Sequence, residues 1–301
     1  MWSTHQTRAD LFSAGFSGRQ ITAAVRAGAI VRARRDRYLP PDAPDEVVRA
    51  VRVGGRLTCL SLLKLHEVFV LANSKLHVQV APRMSRMRSP HDRSHRLDLT
   101  KLHGTRLHWL TAREDGGAAT CASLVEALAH GVLCQAPRAA IASIDSALNK
   151  GLVGMEDIAT IFAMLPAKYG VLQPLIDGRA QSGPETLVRL MLLALGCAVD
   201  LQVEFDGVGF VDIVVDDWLV VECDSRQHHS DWEQRVKDYT RDLRLAQRGY
   251  AVLRLTAKDI MERPEEVLSA LRGLVSARDR HSPRSRGAAA PRRKIRSRSR
   301  S

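Results

Sequence analysis

Val208-Gly209-Phe210-Val211-Asp212-Ile213-Val214-Val215-Asp216-Asp217-Trp218-Leu219-Val220-Val221-Glu222-Cys223-Asp224 is the stretch on which the reading of this chain turns. Two runs rich in Val, Ile and Leu, 208–215 and 219–224, flank a short polar break, which predicts two strands joined by a tight turn. Three carboxylates, Asp212, Glu222 and Asp224, interrupt those runs. Burying such charges costs several kcal/mol apiece unless they are paired or coordinate a cation, so the apolar flanks favour a metal site. Glu222 and Asp224 are two apart and share one strand face, with Cys223 on the other. Oxygen ligands of this kind suit Mg²⁺ or Mn²⁺, which hold substrate phosphates and activate water.

Strand parity sharpens the expectation. If the two strands pair as a hairpin, Asp212 and Glu222 face the same side only when paired positions sum to an even number. That requires an odd loop such as Asp216-Asp217-Trp218, or a bulge. A two-residue Asp216-Asp217 turn would place Glu222 opposite to Asp212 and end the shared-metal idea.

Outward from the hairpin, residues 181–276 read as helix, strands, helix, strand, helix. Pro184 opens an apolar helix to 195 with Glu185 near its start, and a strand is predicted at 199–205. Ser230-Asp231-Trp232-Glu233 is a capping box for a charged helix to 248, stopped by Gly249. A strand at 250–255 and a helix at 265–275 complete the segment.

The chain has 301 residues, a formal net charge of +12 and 45% hydrophobic residues, which excludes general disorder and a membrane-embedded body. The charge is unevenly placed: +5 in 1–56, +5 in 57–116, −1 in 117–180, −6 in 181–276 and +9 in 277–301. Five dispersed cysteines form no C-x-x-C pair, so neither a disulfide framework nor a zinc ribbon is expected. The N-terminus lacks a signal-peptide plan, and a soluble cytoplasmic protein is expected.

Residues 1–56 read as two helices, one at 7–14 with Leu11 and Phe12 inward and one after the capping box Ser17-Gly18-Arg19-Gln20, then a basic ribbon over 30–39. That is the plan of a winged helix-turn-helix DNA-binding domain. Arg19 and Arg26 would face DNA from the helix, and Arg32, Arg34, Arg35 and Arg37 from the wing. Residues 57–180 read as a mixed α/β middle domain, with helices at 57–65, 122–133, 139–149 and 155–164 and strands at 76–80 and 106–110. Its six histidines between 66 and 108 show no metal-ligand spacing and are expected at the surface. Residues 277–301 are of low complexity and basic, and are expected to be a disordered tail that meets phosphate backbones.

The order Glu185, Val211-Asp212, Glu222-Cys223-Asp224, Gln227-His228, Asp238, Asp242, Arg244 and Gly249-Tyr250-Ala251-Val252-Leu253-Arg254 resembles the PD-(D/E)xK nuclease core. It is more closely similar to bacterial domains related to very-short-patch-repair (Vsr) endonucleases, over about 180–275. The segment GFSGRQITAAVRAGAIVRARRDRYLP, with LHVQVAP, resembles AbiEi-type antitoxin-like proteins, a winged helix followed by a mixed domain. These resemblances imply an α+β chain whose 181–276 domain carries a four-stranded mixed sheet between helices. Asp212 and Glu222 would be the metal ligands, Glu185 a supporting carboxylate, and Asp224 would fill the slot where many relatives carry lysine. That lysine is absent, which leaves His228 or His229 as the general acid or base. Ser225 stands where glycine is expected.

Two functions are compatible with these residues. One is a DNA-binding, Mg²⁺- or Mn²⁺-dependent endonuclease acting on double-stranded DNA. The other is a non-catalytic DNA-binding regulator of antitoxin type, with a degenerate nuclease-like domain and a cognate toxin or defence partner. No membrane partner is expected.

Overall fold

The structure is a computed structural model that describes residues 5–110, 118–224 and 232–281. Internal contacts divide the chain into two units, Met1–Pro174 and Leu175–Ser301.

In the first unit, α1 (Arg8–Ser13) and α2 (Gly18–Arg26) each open on a capping box, Thr7 with Asp10 and Ser17 with Gln20. The hydroxyl accepts an amide of the first turn while the acidic or amide side chain takes the cap's own N–H, so donors that the helix cannot satisfy are satisfied locally. The antiparallel ribbon β1 (Val31–Arg34) and β2 (Arg37–Leu39) follows. Leu11, Ile21 and Tyr38 form a small core with Val25 and Ile30 against it. Phe12, expected inward, is 48% exposed. A helix turns about 100° per residue, so one that buries Leu11 carries the next side chain away from the core. The Arg8 guanidinium lies 5.2 Å from the Phe12 ring centre instead.

Helix α3 (Asp45–Val53) brings Val48 and Val51 onto Ala33 and Leu39 of the ribbon. Next come β3 (Arg56–Leu57), α4 (Cys59–Leu65), β4 (Leu76–Val80) and β5 (Thr105–Trp109), whose strands form a sheet ordered β3-β4-β5. β3 runs antiparallel and β5 parallel to β4. A Cβ at Gly55 would lie 2.1 Å from the Gln79 carbonyl oxygen, so glycine is required there for the backbones to approach. Helices α5 (Leu124–Cys134), α6 (Pro137–Asn149) and α7 (Met155–Ala163) complete this unit. Between β3 and α5, Arg56 Nη2 meets Glu126 Oε2 at 2.7 Å and Arg56 Nε donates to Gln79 Oε1 at 2.9 Å.

The second unit runs α8 (Gly183–Ala194), β6 (Val199–Phe205), β7 (Gly209–Val215), β8 (Leu219–Asp224), α9 (Trp232–Gln247), β9 (Ala251–Thr256), α10 (Ala257–Glu262) and α11 (Pro264–His281). Its four strands lie in chain order, antiparallel from β6 to β8, with β9 parallel to β8. A parallel neighbour needs a crossover, and α9 supplies it. Leu245 of α9 packs on Val203, Val211, Val214 and Val220, with Phe205 and Tyr250 meeting edge to face nearby. The expected α+β class, mixed sheets flanked by helices, is the one observed. Helix α11 continues to His281, into the segment from 277 expected as a tail. Residues 282–301, Ser225, Gln227, His228, His229, Ser230 and Asp231 lie outside the described residues.

Candidate functional site

The turn between β7 and β8 has three residues, Asp216-Asp217-Trp218, as strand parity requires for a shared face. Asp216 and Asp217 both take left-handed backbone, at φ 46° and 56°, a conformation that aspartate tolerates better than most side chains. Asp216 Oδ1 accepts from the Ala198 amide at 2.9 Å, and the Trp218 amide donates to the Val215 carbonyl at 3.1 Å. The register pairs Val215 with Leu219 and Ile213 with Val221, which sets Asp212 on the same side as Glu222.

Past Ile213 and Val221 the ladder stops, and the carboxylates take over. The Asp212 amide donates to Glu222 Oε2 at 3.3 Å, and the Cys223 amide donates to Asp212 Oδ2 at 2.8 Å. Two acidic side chains therefore occupy the split between neighbouring strands by satisfying backbone donors that the ladder would otherwise have used.

Glu185, on the first turn of α8, joins this pair through Gln202 of β6. Gln202 Nε2 donates to Glu185 Oε2 at 3.0 Å and to Asp212 Oδ1 at 3.3 Å, and the Gln181 amide donates to the same Glu185 oxygen at 2.8 Å. Burial first, then the Asp212 charge, pushes the Glu185 carboxyl up to about 7. Burial and Asp212 also raise Glu222, against the pull of Arg241. Asp224 sits apart from this group. Its Oδ2 lies 3.5 Å from Arg254 Nη1, and Arg254 also binds Asp242 through two bonds of 2.8 and 3.1 Å.

Arg254 closes the Gly249–Arg254 run quoted from the sequence, whereas Gln202 and Arg241 were not singled out there. Arg241 Nη2 is 3.0 Å from Glu222 Oε1 and also donates to the Phe210 carbonyl. Its signal was the D-x-x-R spacing of Asp238 and Arg241, which places both on one helix face one turn apart. Gln202 gave no signal, since a glutamine in a strand is ordinary.

A family model of restriction-endonuclease type, REase_MTES_1575, matches residues 185–274, from Glu185 through β9 and into α11. The C-terminal segment is a restriction-endonuclease-like domain. Two mycobacterial relatives, uncharacterized proteins MT2308 and Rv2248 of Mycobacterium tuberculosis strains CDC 1551 and H37Rv, are each 29% identical over 139 residues. The match covers 42% of this chain and 51% of theirs, so the chain spans about half the length of the curated relatives it matches. No solved structure gives a significant match.

Restriction-endonuclease-like folds typically use divalent metal ions, and the residues of this domain fit one. Glu222 Oε1 is buried and, among the described residues, faces the Arg241 guanidinium at 3.0 Å without a well-aligned hydrogen bond, with the Arg254 charge also within reach. Asp212 and Glu222 offer hard oxygen donors side by side, the chemistry that Mg²⁺ or Mn²⁺ prefers, with remaining positions left to water and phosphate. Glu185 is linked to Asp212 through Gln202, and among the described residues it does not form with Asp212 and Glu222 a group whose donor atoms all lie within 4.8 Å of one another. Among the described residues, the group of three or more metal-ligating side chains whose donor atoms lie within 4.8 Å of one another is in the first unit.

In that first unit Arg19 and Arg26 are exposed on α2, and Arg35 is exposed and Arg37 half-buried at the ribbon turn. Arg32, Arg34, Arg35 and Arg37 line a cleft of about 820 Å³ together with Arg86, Arg88 and Arg93 of the following loop. Arg34 is held within the unit, donating to the Val53 and Arg86 carbonyls at 3.4 and 3.0 Å. The expectation that the histidines lie at the surface fails for His77 and His108, which are 5% and 8% exposed. They stand on adjacent strands of a sheet covered by helices, where a histidine can be buried if its nitrogens find partners. Among the described residues no helix is long and apolar enough to cross a membrane.

Proposed function

We propose that this protein binds double-stranded DNA and hydrolyses its phosphodiester bonds with Mg²⁺ or Mn²⁺ held by Asp212 and Glu222. The observation that carries this reading is the strand split, where the two carboxylates are aligned on one side and fixed by backbone amides. When bound, such an ion polarises a phosphoryl oxygen and lowers the pKa of a ligated water. The chain's own groups orient that chemistry. Glu185 and Gln202 hold Asp212 in place, and Arg241 offsets part of the local negative charge. His228, after β8, is the proposed proton carrier in place of lysine. Asp224 is assigned to the edge of the site, paired with Arg254.

Binding is assigned to the first unit, read as a winged helix with an AbiEi-like middle region. The exposed Arg19, Arg26 and Arg35 and the arginine-lined cleft support this, because guanidinium groups neutralise phosphates in a sequence-independent way. The restriction-endonuclease-like domain is read as Vsr-like. Purified full-length protein is expected to nick supercoiled plasmid with Mg²⁺ or Mn²⁺, and Asp212→Asn to cut that rate at least about 100-fold with unchanged thermal unfolding. Equal cleavage by both proteins would reject the assignment.

A second reading is favoured by one observation: Arg241 already places a positive charge 3.0 Å from Glu222, as Arg254 does near Asp224. A domain whose carboxylates are neutralised internally suits a DNA-binding regulator of antitoxin type with a toxin or defence partner. Protection of the protein's own upstream DNA, with no cleavage under any divalent ion, would select this reading.

A further inference from the structure

We propose that the first unit carries a structural zinc site formed by Cys59, His77, His108 and Cys134. These four come from different elements: Cys59 is the first residue of α4, His77 lies in β4, His108 in β5, and Cys134 is the last residue of α5. One donor atom from each lies within 4.8 Å of every other. The register aligns His77 with Arg106 and Gln79 with His108, so period two puts both imidazoles on one face of the sheet as diagonal neighbours.

The spacing fits a tetrahedral ion. With metal–nitrogen bonds of about 2.0–2.1 Å and metal–sulfur bonds of about 2.3 Å, a tetrahedron has edges of roughly 3.3 Å between nitrogens and roughly 3.6 Å between nitrogen and sulfur. His77 Nδ1 and His108 Nε2 are 3.1 Å apart, and Cys134 Sγ is 3.9 Å from His108 Nε2. Three of the four residues are buried, and Cys134 is half-buried.

The donor set also selects the ion. Thiolate and imidazole suit zinc and disfavour Mg²⁺, which takes oxygen. Binding deprotonates the two thiols, and the resulting pair of thiolates balances a dication in a place where an uncompensated charge would be costly. Four protein ligands close the coordination shell, which marks a structural site rather than a catalytic one. The surroundings are those of a supported ligand set. The His130 ring stacks on His108 at 5.2 Å, and His130 Nδ1 is 2.8 Å from the hydroxyl of Thr58, the residue before Cys59. Cys59 itself has φ 52°, a backbone state that a non-glycine side chain holds only where its surroundings fix it. The ion would tie α4, β4, β5 and α5 into one body.

The test uses the full-length chain, purified without chelator and assayed for metal by elemental analysis. About one zinc per chain is expected, retained by the Asp212→Asn/Glu222→Gln protein and reduced at least about tenfold in Cys59→Ser/Cys134→Ser. If the serine protein fails to fold, Co²⁺ titration of the wild type decides. Intense visible bands with a near-ultraviolet sulfur-to-cobalt absorption, removed by added Zn²⁺, support the site. A folded wild type that holds no zinc and takes up neither Zn²⁺ nor Co²⁺ overturns it. So does zinc lost from the carboxylate variant and kept by the serine variant, or a Cys59–Cys134 disulfide in freshly prepared protein.

Discussion

Glu126 in the first unit and Glu185 in the second are almost equally hidden, at 3% and 4% exposure, but they are held by opposite means. Glu126 meets the Arg56 guanidinium at 2.7 Å, charge against charge. Glu185 is held by neutral donors, the Gln181 and Gln202 amides and the Ser182 hydroxyl, and its charged neighbour is another carboxylate. Of two buried acids, the first is neutralised by a partner on a neighbouring element and ties β3 to α5. The second is left beside a like charge, and its carboxyl is pushed up instead of being paired.

The comparison breaks most visibly at Arg56. Arg56→Met leaves Glu126 buried without its cation and is expected to cost about 3–5 kcal/mol in denaturant unfolding; a loss under about 1 kcal/mol would erase the distinction between the two acids. Glu185→Gln is expected to act with the opposite sign. Because folding raises the Glu185 carboxyl from its ordinary 4.5 to about 7, the folded state binds that proton more tightly than the unfolded one. Its contribution is full below pH 4.5 and is lost as pH rises through 7, by about 3 kcal/mol in all. The glutamine variant should therefore match wild type near pH 4 and exceed it by up to that amount at pH 8. Unfolding curves with parallel pH dependence would show that the acid is not strained. The smallest effect concerns Arg241, whose charge opposes the rise at Glu222. With Glu222 holding the ion as proposed, Arg241→Gln should move the acid limb of metal-dependent cleavage upward, because the carboxylate must be ionised and loses the charge that favours ionisation. An unmoved profile would separate Arg241 from the site.

The second unit was readable because its determinants are local. Apolar runs of strand length located β6, β7, β8 and β9, and strand parity reduced the placing of Asp212 beside Glu222 to whether one turn holds two or three residues, which the register answers with three. Helix α10 escaped because six residues carry too little periodicity, although Thr256 caps it through the Asp259 amide. The first unit hid more. Arg34 looks in sequence like any wing arginine, and only folding brings the Val53 and Arg86 carbonyls to it. Cys59, His77, His108 and Cys134 are far apart along the chain, and only the parallel pairing of β4 with β5 and the end of α5 bring them together. Short-range ligand spacing cannot reveal a site whose order is set by tertiary structure.

The amides in the strand split have an entropic consequence. An exposed carboxylate samples several rotamers, and ordering such a side chain on binding costs about 0.5–1.5 kcal/mol. Asp212 and Glu222 are already moored by the Cys223 and Asp212 N–H groups, and each oxygen keeps a second lone pair beyond that mooring. The ordering was completed when the chain folded, so the ion proposed for this site would meet side chains that have little freedom left to lose.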